Sequence, residues 1–222
     1  MVSTLRLADV TFLHWAVEPS AVAPLLPAGV EPDTIGDTTY VGLVGLRMAQ
    51  VGVLHSPGIP YLGSFPQTNV RLYSVDRLGR RGVAFCSMDA ARLLPVLAGR
   101  ATGLPCRWSR MTVRADGACR TYITRRRQAR SVVRVEVGGA AEPTPLDDFL
   151  TARWGLHVRR AGRLWHLPIE HPAWGLRTAR VVSCRDELVA AAGILLPQDQ
   201  EPVSVLWSPG VPARFGRPEP VS

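Results

Sequence analysis

Hydrophobic positions along the chain recur mostly with the two-residue period of half-buried strands. Residues 11–17, reading Thr-Phe-Leu-His-Trp-Ala-Val, form the first such run. Residues 40–48 alternate bulky and small side chains, and 69–76, 82–88 and 111–115 continue the β-type pattern. Asp116-Gly117 predicts a tight turn into a strand over 118–126, with a further strand over 131–137. Late strands are predicted over 162–169 and 203–207. Helical signals are fewer. Ser20 is placed to cap a short helix through Leu25 and Leu26 that Pro27 and Gly29 terminate. A second helix is predicted from Asp89 to about Thr102, bent near Pro95. Thr144-Pro145, a capping residue followed by proline, opens a third, with Asp147 and Asp148 near its positive end. A fourth spans 186–192 and stops at Gly193. Many strands, few helices and no regular βαβ alternation predict an α+β, mainly β protein with a closed, barrel-like sheet.

A chain of 222 residues suits one domain, 1–222, large enough to bury most of its unfolded surface. The start of the chain lacks the apolar stretch of a signal peptide, and no segment is apolar for the length of a membrane span. The four cysteines, Cys86, Cys106, Cys119 and Cys184, form no C-x-x-C pair, which argues against a zinc knuckle or a dense disulfide framework. A cytoplasmic setting is therefore expected. The formal charge is +8, and all 26 basic residues are arginine; none of the chain is lysine. Arg125, Arg126, Arg127, Arg130 and Arg134 form a cluster, but no helix-turn-helix, zinc-finger or RNA-binding aromatic signature accompanies it, so nucleic acid is not an expected partner. Trp165 to Pro172 holds His166, Glu170 and His171, yet strand alternation would put His171 on the other face from the first two, a poor metal site. No metal or cofactor is expected. No G-x-G-x-x-G, P-loop or G-x-S-x-G is present.

Several segments, read in order, resemble the YqjF-like family of bacterial proteins: TFLHWAV (11–17), LLPAGVEP (25–32), YVGLVGLRM (40–48), FPQTNVRLY (65–73), SMDA (87–90), GLP (103–105), DFLT (148–151) and GRLWHLPIEHP (162–172). That family is similar in fold to acetoacetate decarboxylase, so the resemblance implies a closed conical β-barrel with a few flanking helices around a small pocket. The decarboxylase motif places a lysine after Gly-x-Pro, where it forms an imine with a keto acid. In the corresponding stretch, Gly103-Leu104-Pro105-Cys106-Arg107, the resemblance puts Cys106 at the lysine position. Neither cysteine nor arginine can form that imine, so the imine route is closed to every side chain here. Gln67 also stands where relatives carry an acid.

The candidate chemistry follows. Cys106 is either a nucleophile or a packed thiol. Arg47, Arg71 and Arg100 are candidate forks for a substrate carboxylate or enolate, or members of internal salt bridges, for example with Asp89. His14 and Trp15 offer a base beside an aromatic wall, or a satisfied core pair. Asn69 and Arg71, two apart on a strand, share a face. The expected function is a small-molecule-binding barrel that works without lysine, with Arg71 and Arg100 orienting a carbonyl- or carboxylate-bearing substrate. Asp89 or His14 would move a proton, as in a lyase, isomerase or hydrolase. A non-catalytic sensor or carrier is the alternative. Self-association into a homo-oligomer stays open.

Overall fold

The computed structural model describes residues 3–53 and 64–221. In chain order the strands and helices are β1 (Ser3–Val17), α1 (Pro19–Val22), β2 (Val30–Pro32), β3 (Thr39–Val53), β4 (Phe65–Asp76), β5 (Arg81–Ala90), α2 (Leu93–Ala101), β6 (Cys106–Trp108), β7 (Arg110–Asp116), β8 (Cys119–Arg126) and β9 (Ala129–Ala140). They continue with α3 (Pro145–Thr151), β10 (Gly155–Arg160), β11 (Arg163–Glu170), β12 (Arg177–Asp186), α4 (Leu188–Ala191), β13 (Ser204–Phe215) and β14 (Glu219–Pro220).

Strand pairing closes a ring. The order is β1, β3, β4, β5, β10, β11 and β13, and β13 pairs with β1. The β5–β10 contact is parallel and the others in the ring are antiparallel. From β13 the sheet runs on through β12, β9, β8 and β7 and curls back across the ring's outer wall. Three contacts fix that overlap: Thr11 Oγ1 donates to the Tyr122 hydroxyl at 3.1 Å, Thr68 and Thr124 share a hydrogen bond of 3.0 Å, and Arg126 pairs with Asp89 at 3.1 Å.

The ring wall is therefore buried on both faces. Outward-facing Leu13, Trp15, Val41, Leu43, Val70 and Leu72 pack with Tyr122, Val133 and Val135 of the curled sheet. Inward-facing Tyr40, Tyr73, Val83 and Leu156 pack around Phe149 and Leu150 of α3, whose C-terminal half plugs the ring while its first turn is partly exposed. Double burial explains why these strands are apolar at neighbouring positions as well as alternate ones.

Several expectations are met by local chemistry. Gly117, at φ +54°, opens the two-residue loop between the paired ends Asp116 and Cys119. Thr144 and Asp147 form a reciprocal capping box at α3, with Pro145 in its first turn. Others are corrected. The segment from Asp89 is not yet helix: Asp89 and Ala90 still pair with Thr68 and Gln67, and α2 begins only at Leu93. Pro95 then falls in the first turn, where its missing N–H has no helical partner to lose, so it breaks nothing. Glu18, not Ser20, occupies the N-cap position of α1, with no side-chain capping bond, and Pro19 opens the first turn. Strands β10 and β12 went unpredicted; β12 carries Arg, Thr, Ser and Cys on a bulged ladder with no clean alternation.

Outside the ring, β10 and β4 bury His157 between Ser74, whose hydroxyl lies 2.8 Å from Nδ1, and Asp76, whose carboxylate lies 3.5 Å from Nε2. Burial, with the adjacent His166 ring, pulls the His157 pKa from 6.5 down to about 4 against the pull of Asp76. A folded-state pKa below the unfolded one means the unfolded chain takes up the proton first, so stability falls as pH drops from about 6.5 towards 4. We expect His157 to account for roughly 3 kcal/mol of acid destabilisation across that window. Urea unfolding between about pH 7 and pH 4 should show a shallower pH dependence for His157→Phe than for the parent; parallel curves would refute this.

Candidate functional site

Antiparallel partners lie on one face of a sheet, so register alone defines rows of inward side chains around the ring. One row reads Ser204, His14, Gly42, Arg71, Phe85. The next reads Leu206, Phe12, Val44, Asn69, Met88. Asn69, Arg71 and Tyr73 follow one another on the inner face of β4 because they are spaced by two.

Gly42 is the gap in the middle of the first row. A Cβ there would stand 3.1 Å from His14 Cδ2 and 3.2 Å from both Arg71 Cγ and Nε. Only the missing side chain lets the imidazole and the guanidinium face each other across β3. Arg71 Nη2 donates to the Tyr73 hydroxyl at 3.2 Å and to the Leu150 carbonyl at 2.8 Å, and Tyr73 donates to the same carbonyl at 2.9 Å. The guanidinium lies 5.5 Å from the Phe12 ring centre and 5.6 Å from that of Tyr73, within cation–π range.

The polar atoms left over are the signal. His14 is 0% exposed, and neither ring nitrogen has a hydrogen-bond partner; the same holds for Asn69 Oδ1 and Arg71 Nε. Buried polar atoms are nearly always partnered, so this set on adjoining rows of one interior wall marks a candidate donor and acceptor array. Burial first, and the Arg71 charge second, hold the His14 pKa well below its ordinary value, so the ring is a neutral imidazole that can accept or donate one hydrogen bond. Ser204, next to His14 in the row, donates to Asp147 Oδ1 at 3.2 Å, while the other carboxylate oxygen of Asp147 serves the α3 cap.

The remaining candidates lie elsewhere. Trp15 faces the outer layer, where its indole N–H donates to the Gln200 carbonyl at 3.0 Å. Asp89 also faces outward, fully buried; burial raises its pKa, against Ser109 at 2.6 Å and Arg126. The salt bridge considered for Arg47, Arg71 or Arg100 with Asp89 is made by Arg126 instead. Arg47, paired on both sides within β3, is partly exposed beside Asp9, at 3.8 Å. Cys106, on β6 beside Met88, is buried with Sγ 3.6 Å from Met88 Sδ, and burial pushes its thiol up to about 11. Arg100 Nε donates to the Cys106 carbonyl at 2.8 Å. His166 turns outward beside His157 and Glu219, and His171 lies against Trp154 and Trp174, so the two histidines are apart. Among the described residues no three His, Cys, Asp or Glu side chains are grouped as a metal site would require. Gly42 and Tyr73 were not singled out from sequence, though Tyr73, two after Arg71 on the same strand, was within reach of the alternation rule.

A closed strand ring plugged by a short helix, with the rest of the same sheet folded back over it, defines an acetoacetate decarboxylase-like fold. The chain is similar over its whole length to an acetoacetate decarboxylase-like enzyme from Sphingomonas wittichii RW1, at TM-score 0.70 and 13% identity with 92% of that chain covered. It is likewise similar to the enduracididine biosynthesis enzyme MppR, at 0.69 and 13% with 90% covered. The acetoacetate decarboxylase of Legionella pneumophila aligns over 98% of this chain and 87% of its own, at 0.65 and 15%. By sequence, the chain belongs to the DUF2071 family, described as an uncharacterized conserved protein, whose model matches residues 4–212. It is 28% identical over 197 residues to the protein YqjF of Bacillus subtilis strain 168, covering 86% of this chain and 81% of that one.

Tyr73→Phe removes the hydroxyl shared by Arg71 and Leu150. It is expected to cost about 1 kcal/mol in urea unfolding, more if the Leu150 carbonyl loses both donors; no loss would mean that Arg71 alone satisfies that carbonyl.

Proposed function

We propose that the chain is a lysine-free, small-molecule-binding barrel that acts by acid–base chemistry, without an imine, on a carbonyl- or carboxylate-bearing bacterial metabolite. The observation that carries the reading is the set of unpartnered buried polar atoms on His14, Asn69 and Arg71 around the Gly42 gap. Arg71 would supply the fork for an anionic oxygen, already oriented by Tyr73 and Leu150. The neutral His14 ring beside it would take or give a proton. MppR, similar in fold, is described in complexes with pyruvate and with a pyruvate condensation product, compounds of the class proposed here. Cys106 and Arg100, at the β6 edge next to Met88, would border the same interior through Met88 in the second row.

A second reading, a non-catalytic sensor or carrier, is favoured by one observation. The carboxylate of Asp89 is engaged with Arg126 and Ser109 on the opposite face of the wall, which leaves His14 without an acidic partner.

Native mass spectrometry of the protein isolated from its host tests the shared premise. The parent should retain a small carbonyl or carboxylic acid, and Gly42→Ala, whose methyl would crowd His14 and Arg71, should lose it while staying folded. Full retention by Gly42→Ala would overturn the site. With the ligand in hand, His14→Gln separates the readings: an enzyme loses turnover but keeps binding, whereas a carrier turns nothing over in either form.

A further inference from the structure

The outer face of the curled sheet carries a ladder of arginines. Arg110 of β7, Arg125 of β8 and Arg130 of β9 are direct register partners, Arg110 with Arg125 and Arg125 with Arg130. All three are exposed. Direct cross-strand partners bring Cβ atoms within about 5 Å, and like charges placed there destabilise a sheet. Arg185 and Arg134 extend the same face, opposite Val132 and Ser183. Among the described residues none of these five has a carboxylate partner; the Glu136 carboxylate is taken by Arg180, and Glu187 accepts the Arg130 backbone N–H. Arg126, pointing the other way, is the member of this cluster neutralised by Asp89. Arginine-rich composition explains why the basic residues are arginines, but not why three stack in register on one open face.

We propose that this face binds single-stranded nucleic acid through its phosphate backbone. Shape selects the partner. The inner face of the curled sheet wraps the ring wall, so the ladder stands on a convex surface. A duplex, stiff over about 50 nm, meets a convex surface along a short line, as a flat bilayer does. A flexible single strand can follow it. Thr121, Ile123 and Val132 lie between the arginines on this face, and contacts to the phosphate backbone carry no sequence information, so the proposed binding is sequence-tolerant.

The test is fluorescence anisotropy of a labelled oligothymidylate titrated with the full chain over a range of salt. The ladder triple variant Arg110→Gln/Arg125→Gln/Arg130→Gln is compared with a charge-matched triple, Arg159→Gln/Arg160→Gln/Arg163→Gln, in the exposed hairpin of β10 and β11. The ladder variant should weaken binding by about tenfold or more and flatten the slope of log affinity against log salt by about 2, with the hairpin variant close to the parent. Equal losses in the two triples would reduce the effect to net charge and overturn the proposal. So would duplex DNA or phosphatidylserine vesicles outcompeting the single strand. Removing like charges should leave the thermal midpoint unchanged or raised. If the triple melts early, Arg125→Gln alone, the central rung, must weaken binding and reduce the slope for the proposal to stand.

Discussion

The last turn of a short helix, buried at its C-terminal half against the ring's inner face, leaves carbonyls without helical partners, and the interior is organised around supplying them. The final turn of α3 presents the carbonyls of Phe149, Leu150 and Thr151. Arg153 Nε takes the first at 2.7 Å, Arg71 and Tyr73 share the second, and the indole N–H of Trp174 takes the third at 3.0 Å. Two of the four donors are guanidinium groups, the charge that a helix C-terminus favours. Arg153 is in turn held by Asp33, which also accepts from Arg81, and it stacks over Phe149 and Tyr73. Arg71 is thus pinned by the plug of the ring.

The second constraint is the double burial of the ring wall. Because β1, β4 and β5 are covered on both sides, neighbouring residues on one strand serve separate compartments. His14 looks inward and Trp15 outward; Asn69 and Arg71 look inward, while Thr68 meets Thr124 outside. On β5 a register shift opposite Val70 and Arg71 of the partner strand lets Phe85 and Met88, three apart, both look in, and ordinary alternation then turns Asp89 outward. A polar residue on such a wall is paired outside with the curled sheet, as Asp89 is, or left for the interior, as His14 is.

This division bears on how a fold shared with lysine-dependent decarboxylases can persist in a chain without lysine. The scaffold supplies a closed ring of strands and an arginine anchored by a helix-end carbonyl, neither of which needs an amine. On the buried inner face of that ring the His14 imidazole and the Arg71 guanidinium lie in a low effective dielectric, where electrostatic interactions are stronger than in water. Cys106, at the position the resemblance gives to the lysine, is a buried thiol beside Met88 and does not replace the amine chemically.

The sequence by itself determined the mainly β class, the Asp116-Gly117 hairpin, the Thr144 capping box and the family resemblance, because each rests on contacts between residues close in the chain or on ordered motifs. It also placed Asn69 and Arg71 on one face, since alternation is local. What the tertiary structure decided was which face that was, and with whom. Ring closure through β11 and β13 joins residues roughly fifty apart, and the covering sheet buries the face that a two-layer reading would leave wet. Hence Asp89 was legible as a candidate acid but not as the partner of Arg126. Gly42 was legible as a small residue in a strand but not as the gap between His14 and Arg71. A lone strand carries its period but not its neighbours, and here register with four or five other strands sets the chemistry of every inward position.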